Sequence, residues 1–185
     1  MTQAAAAGNT IAAIDPTALL GAWRMTRRLA DRRTGLSGVA CGQLTLRSEG
    51  GGHVAWVEQG TLLWNGSRLS VSRSYRLLRA EEGWWLHFPD GRPFHAWIPG
   101  QWVYHPCRED SYRGLITIIG QDRWRTLWEV DGPNKAQRII TWLSRSTALG
   151  RPSGGECRQP GPQCFRTTVL GTWQVMAVAA IISGA

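Results

Sequence analysis

Two neighbouring stretches hold most of the side chains in this chain that could do chemistry. The first is Phe88-Pro89-Asp90-Gly91-Arg92-Pro93-Phe94-His95, and ten residues later comes His105-Pro106-Cys107-Arg108-Glu109-Asp110-Ser111-Tyr112. Imidazole, carboxylate, thiol and phenol are thus supplied by short extended segments and tight turns. Such a set supports acid–base chemistry, with His95 or His105 as base, Asp90 or Asp110 as its orienting partner, and Tyr75 or Tyr112 as acid or oxyanion donor. Cys107 is a nucleophile only if its thiolate is favoured by His105 and Arg108; a buried inert thiol is the commoner fate. A zinc site built from His95, His105 and Cys107 depends on register. With a three-residue loop at Pro99-Gly100 His95 faces His105, and with a two-residue loop it faces away. No metal is assigned on this pattern. The cofactor stays open, haem with His95 or His105 as axial ligand being one case.

The residues that must position this set read as β-structure throughout. From Leu19 to Arg145 short alternating segments follow one another, separated by Gly, Pro, Asn or Asp, and no amphipathic run is long enough for a helix. Trp23, Met25, Arg27 and Leu29 share one face of the first segment, and Val54 and Trp56 share one face of a later one. Asn65-Gly66 is the strongest hairpin signal, since both residues tolerate the positive φ of a type I′ turn. In the strand that follows, Leu69, Val71, Arg73, Tyr75 and Leu77 point one way. Arg73 is therefore directed inward, where a guanidinium needs a carboxylate or a wet cavity. A meander of about ten or eleven strands removes its edges by closing on itself, so the expected fold is all-β, a single antiparallel up-and-down β-barrel.

The 185 residues, 43% of them hydrophobic, suit one such domain with extensions. Residues 1–18 read as a disordered Ala-rich arm, residues 19–145 as the barrel, and residues 146–185 as a Gly/Pro-rich linker followed by an uncharged apolar segment. That segment, 169–185, falls short of a bilayer span, so a membrane partner is not expected. Neither a charged secretory n-region nor an Arg-rich presequence opens the chain, and the four cysteines make no disulfide framework, so the expected location is cytoplasmic.

Composition narrows the function. The 11 Trp suit cores, cavity walls and interfaces. All but one of the 21 basic residues are arginine, so any lysine Schiff base would have to form at Lys135, which disfavours pyridoxal-phosphate and aldolase-type reactions. The net charge of +8 admits RNA or single-stranded nucleic acid held by Arg and Trp, but the arginines are scattered rather than clustered. No phosphate-cradling glycine loop, paired-histidine zinc helix or nucleophile elbow is present. The expectation is a barrel holding a small, partly apolar or anionic ligand through Trp23, Arg73, Tyr75, Arg92, Cys107, Trp128 and Lys135. The alternative is a barrel enzyme using His95, His105, Asp110 and Tyr112.

Several of these motifs also carry a resemblance. Gly21-Ala22-Trp23 resembles the Gly-x-Trp opening of lipocalin-like barrels. The order Leu19-x-Gly21-x-Trp23, Arg73-x-Tyr75, Asp90-Gly-Arg-Pro-Phe-His95, His105-x-Cys107-x-x-Asp110-x-Tyr112 and Trp128-x-Val130-x-Gly132-Pro133-x-Lys135 resembles the domain-of-unknown-function 6314 family over residues 19 to about 145. The resemblance implies a domain boundary and a set of positions, and no reaction. Leu115-Ile116-Thr117-Ile118-Ile119 is less aromatic than the family pattern leads one to expect.

Overall fold

The computed structural model describes residues 14–146. The expectations for residues 1–13 and 147–185, including the linker and the apolar segment, lie outside the described residues. Ten antiparallel strands follow in chain order: β1 (Gly21–Asp31), β2 (Ser37–Glu49), β3 (His53–Trp64), β4 (Ser67–Ala80), β5 (Gly83–His87), β6 (Pro93–Ala96), β7 (Trp102–Cys107), β8 (Asp110–Gly120), β9 (Arg123–Gly132) and β10 (Lys135–Arg145). They form one ladder in the order β6-β5-β4-β3-β2-β1-β10-β9-β8-β7, so the chain's first and last strands are neighbours and the all-β up-and-down barrel is found.

Local chemistry fixes the registers. Asn65 and Gly66 sit at φ of 47° and 78° between the paired residues Trp64 and Ser67, the turn that their sequence demands. Gly60 lies inside a continuous β3 opposite Gly42; the two backbones approach so closely that a Cβ on either would overlap the other strand. β1 buries Trp23, Met25, Arg27 and Leu29 on one face, as its period-two pattern requires.

One junction departs from the expected meander. β6 and β7 are the two ends of the ladder and are not a hydrogen-bonded hairpin. The physical reason lies in the Pro99-Gly100 turn: Gly100 donates its N–H to the carbonyl of Ile116 on β8, which steers β7 onto β8 rather than back along β6. Across this seam the walls meet through side chains, with the Phe94 and His105 rings 4.9 Å apart and those of Phe88 and His105 5.6 Å apart. Whether His95 faces His105 is therefore not decided by a hairpin register.

The barrel interior is layered. One apolar cluster fills an end of the tube around Trp23, Trp56, Trp97 and Trp124, whose rings meet edge to face at 5.4–6.4 Å. A short 3-10 turn, Pro16–Leu19, caps that end: Leu19 is buried in the cluster and accepts the Trp23 indole N–H at 2.8 Å. Residues 14–18, expected to belong to a loose arm, are tied here as well. Trp97 donates to the Ile14 carbonyl at 2.8 Å and Trp84 to the Asp15 carboxylate at 3.2 Å. A second apolar cluster, built on Leu29, Ala40, Leu62, Trp64 and Ile139, lies farther along the tube. No helix among the described residues is long and apolar enough to cross a membrane.

Candidate functional site

A cavity of about 920 Å³ occupies the barrel lumen, a size within the range of small-molecule sites. Of the residues singled out from the sequence, His95, His105, Asp110, Tyr112, Arg73, Tyr75, Arg92, Cys107, Trp128 and Lys135 all line it. Trp23 does not. It is fully buried in the capped end, with the Arg145 guanidinium 4.4 Å from its ring centroid, so its inward direction puts it in the floor and not in the lumen. Asp90 also stays outside: its carboxylate accepts from the Arg92 backbone N–H at 3.0 Å and from Arg92 Nε at 2.7 Å, which makes the hairpin tip.

One buried polar group was not foreseen. Arg27 and Glu58, 4% exposed each, form an ion pair at 2.7 Å. Arg27 Nε donates to the Thr141 hydroxyl at 2.8 Å, and the Trp56 indole N–H donates to the other Glu58 oxygen at 3.0 Å. Such a pair is tolerated because both ions find hydrogen-bond partners. Burial alone would raise the Glu58 carboxyl, but the charges of Arg27 and Arg73 and the hydrogen bonds from Arg27 and Trp56 outweigh it and hold the group below the usual carboxylate range. Arg73 stands directly opposite Glu58 in the β3–β4 register, and its guanidinium carbon lies 5.4 Å from the Tyr75 ring centroid. Burial raises the Tyr75 phenol above its ordinary value, and the nearby Glu58 charge adds to the rise. The missed signal was present: the alternation that turns Val54 and Trp56 inward puts Glu58 on the same face, and Arg27 shares the inward face of β1.

An aromatic layer lies over this polar group. Phe94 is stacked on Tyr75 on one side (5.5 Å, 10° between planes) and on Trp128 on the other (5.1 Å, 15°), with Phe88 tilted against it at 4.8 Å. Gly114 makes room for this arrangement: it pairs with Trp128 across β8 and β9, and a Cβ there would sit 2.6 Å from the indole ring.

The two histidines both face the lumen but do different things. His95, 3% exposed, is 2.8 Å through Nδ1 from the Ala96 carbonyl; a carbonyl only accepts, so Nδ1 carries the proton and Nε2 is the basic nitrogen. Burial pushes its pKa down to about 4, with the neighbouring His105 adding to the shift, so the ring is neutral near pH 7. Burial, together with the Arg92 charge, also lowers His105. Asp110 orients neither ring. Its carboxylate takes the Lys135 ammonium at 2.6 Å, and the same ammonium lies 3.2 Å from the Tyr112 hydroxyl. Burial works against charge on Lys135, but the hydrogen bonds to Asp110 and Tyr112 prevail and raise it, so the chain's one lysine is held as a cation and is a poor amine nucleophile. Cys107 is a half-buried free thiol on the cavity wall. Arg108, beside it in the β7–β8 turn, adopts a left-handed backbone at φ 56° that a non-glycine residue takes only at some cost. Among the described residues no group of three or more His, Cys, Asp or Glu is arranged to hold a metal ion.

A solved structure of low sequence identity shares the architecture. The S-type phycobiliprotein lyase CPES from Guillardia theta superposes with a TM-score of 0.55 at 10% identity, over 71% of this chain and 90% of the lyase. A redesigned β-barrel, mFAP0, bound to DFHBI, gives a TM-score of 0.39 at 16% identity over 69% of this chain and 99% of its own. No curated protein matches the sequence. Residues 19–145, which are the barrel and every residue of the lumen set, match the Family of unknown function (DUF6314), and the chain belongs to that family.

Proposed function

We propose that the barrel is a binding protein whose lumen receives a small, partly apolar ligand bearing an anionic group. One observation carries this reading: the cavity wall combines a continuous aromatic layer with five cationic side chains, Arg27, Arg73, Arg92, Arg108 and Lys135, against two carboxylates, Glu58 and Asp110. With both imidazoles neutral, the lining has a surplus of positive charge. A low-dielectric cavity with such a surplus favours entry of a negative group, and the aromatic surface favours an apolar body beside it.

Native mass spectrometry of the protein purified from its own host tests the reading. The expected result is a retained small-molecule mass that is lost on Arg73→Leu in protein that still folds, since the Arg27 ion pair continues to answer the Glu58 charge. Retention unaffected by Arg73→Leu removes that contact from the reading, and an empty lumen in the wild-type protein refutes it.

A second reading rests on the neutral His95. Its Nε2 is a base inside the cavity that also contains the Tyr112 hydroxyl, itself next to the Lys135 ammonium, so the lumen has the parts for proton abstraction and return. In this reading His95→Gln and Tyr112→Phe each abolish turnover of a bound ligand without releasing it. Turnover that survives both changes excludes it.

A further inference from the structure

Phe94 is out of keeping with a receptor that simply stands open. It belongs to β6, yet its ring reaches the middle of the tube and lies between Tyr75 of β4 and Trp128 of β9. Those two strands are opposite one another, the same number of strands apart whichever way round the barrel they are counted. Because both interplanar angles are small, the planes of Tyr75 and Trp128 are themselves close to parallel, and Phe94 fills a slot with two flat aromatic walls. The strand that carries Phe94 is the one least bound to the rest. β6 has four residues, it ends the ladder, its pairing to β5 shifts register between Leu86 and His87, and no ladder joins it to β7.

We propose that the ligand is a flat aromatic anion and that Phe94 is its stand-in, occupying the ring site between Tyr75 and Trp128 until the ligand displaces it. This rests on the ligand-binding reading above and narrows it. A planar ring entering the slot replaces the two stacking contacts that Phe94 gives up, whereas a saturated chain of similar volume does not reproduce them. Arg73, whose guanidinium lies against Tyr75 at one side of the slot, and the cationic surplus of the wall supply the preference for negative charge. Displacing an internal occupant lowers the apparent affinity of the resting protein by the fraction of molecules with the slot vacant, so removing the occupant should tighten binding.

Calorimetry with three probes tests this: 2-naphthoate, its neutral counterpart 2-naphthamide, and decanoate, an anion without a flat ring. Wild-type protein is expected to bind 2-naphthoate at least about tenfold more tightly than either of the others. Phe94→Ala should raise 2-naphthoate affinity by about tenfold, and more than it raises that of decanoate. Trp128→Leu should erase the advantage of 2-naphthoate over decanoate. Phe94→Leu, which keeps bulk but removes the flat ring, serves if Phe94→Ala does not fold, and the wild-type comparison needs no variant. Decanoate binding as tightly as 2-naphthoate, with both weakened by Arg73→Leu, overturns the flat-ring inference and leaves the binding reading in place. No binding of any probe, together with an empty lumen in native mass spectrometry, overturns both.

Discussion

The two ends of this barrel are built from the same alternation and come out opposite in character. At the capped end, inward positions of β1, β3 and β9 carry Trp23, Trp56 and Trp124, and the rings close on one another until no lumen remains. A few residues along the same strands, inward positions carry Arg27, Glu58 and Thr126, and the tube encloses a cavity of about 920 Å³. The difference lies in what each side chain requires. An indole is mostly apolar with a single N–H, which Trp23 gives to a carbonyl and Trp124 leaves unpaired, whereas a guanidinium and a carboxylate require each other and further hydrogen-bond partners, and so hold the walls apart.

Breaking the packed end should cost most. Trp124 is 1% exposed and its ring touches three other tryptophans, so Trp124→Ala is expected to lose about 5 kcal/mol, the upper part of the range for deleting a buried aromatic ring. Chemical denaturation checks this, and a loss under 2 kcal/mol would mean that the cluster collapses around the gap. In the polar region, Glu58→Leu should cost about 4 kcal/mol because it strands Arg27 in a buried site, while Arg27→Met combined with Glu58→Leu should recover most of that loss. Recovery would locate the damage in the orphaned ion, and its absence would show that the pair also holds the wall in shape.

Acid sharpens the same contrast with a smaller effect. His95 titrates at about 4 in the folded protein and near 6.5 when unfolded. Between those values the unfolded chain binds the extra proton and the folded one does not, so stability falls as pH is lowered from about 6.5 to about 4, by roughly 3 kcal/mol in total. The lowered His105 adds loss of the same sign. Glu58, being depressed, adds its own loss only below the ordinary carboxylate range. Melting curves across that window should be steeper in pH for wild type than for His95→Gln, and equal slopes would contradict a neutral buried His95. The smallest effect belongs to the hairpin tip. Asp90→Ala removes an exposed pair with Arg92 and one hydrogen bond of the turn, and should lower the melting temperature only slightly, although Asp90 stands in the most chemically suggestive stretch of the sequence.

The fold was legible because its signals are local. Period-two burial in β1, the Asn65-Gly66 turn and the regular spacing of breakers each follow from the residues involved, and together they specify a ten-stranded meander. The site was legible in part, since nearly the whole set lines one lumen. Alternation tells inside from outside and is silent about position along the tube axis. Trp23 and Trp128 both turn inward, yet one seals the floor and the other walls the cavity. Glu58 was lost for a related reason: a charged residue in an apolar alternation reads as the end of the inward face, and only its distant partner on β1 shows otherwise. The β6–β7 junction was misread because a hydrogen bond to β8, remote in sequence, decides where the strand after Pro99-Gly100 lies.

That junction has a mechanical consequence. A tube laced by hydrogen bonds around its full circumference can change bore only if registers slip, which moves every side chain to the opposite face. Here one line along the wall is closed by side chains, the Phe88 and Phe94 rings meeting His105 and the His105 imidazole bonding the Phe94 backbone, so parting these few contacts would let the girth adjust while the other registers stay put. That seam is the line along which the wall is held by the fewest hydrogen bonds, and the residues that hold it also line the lumen.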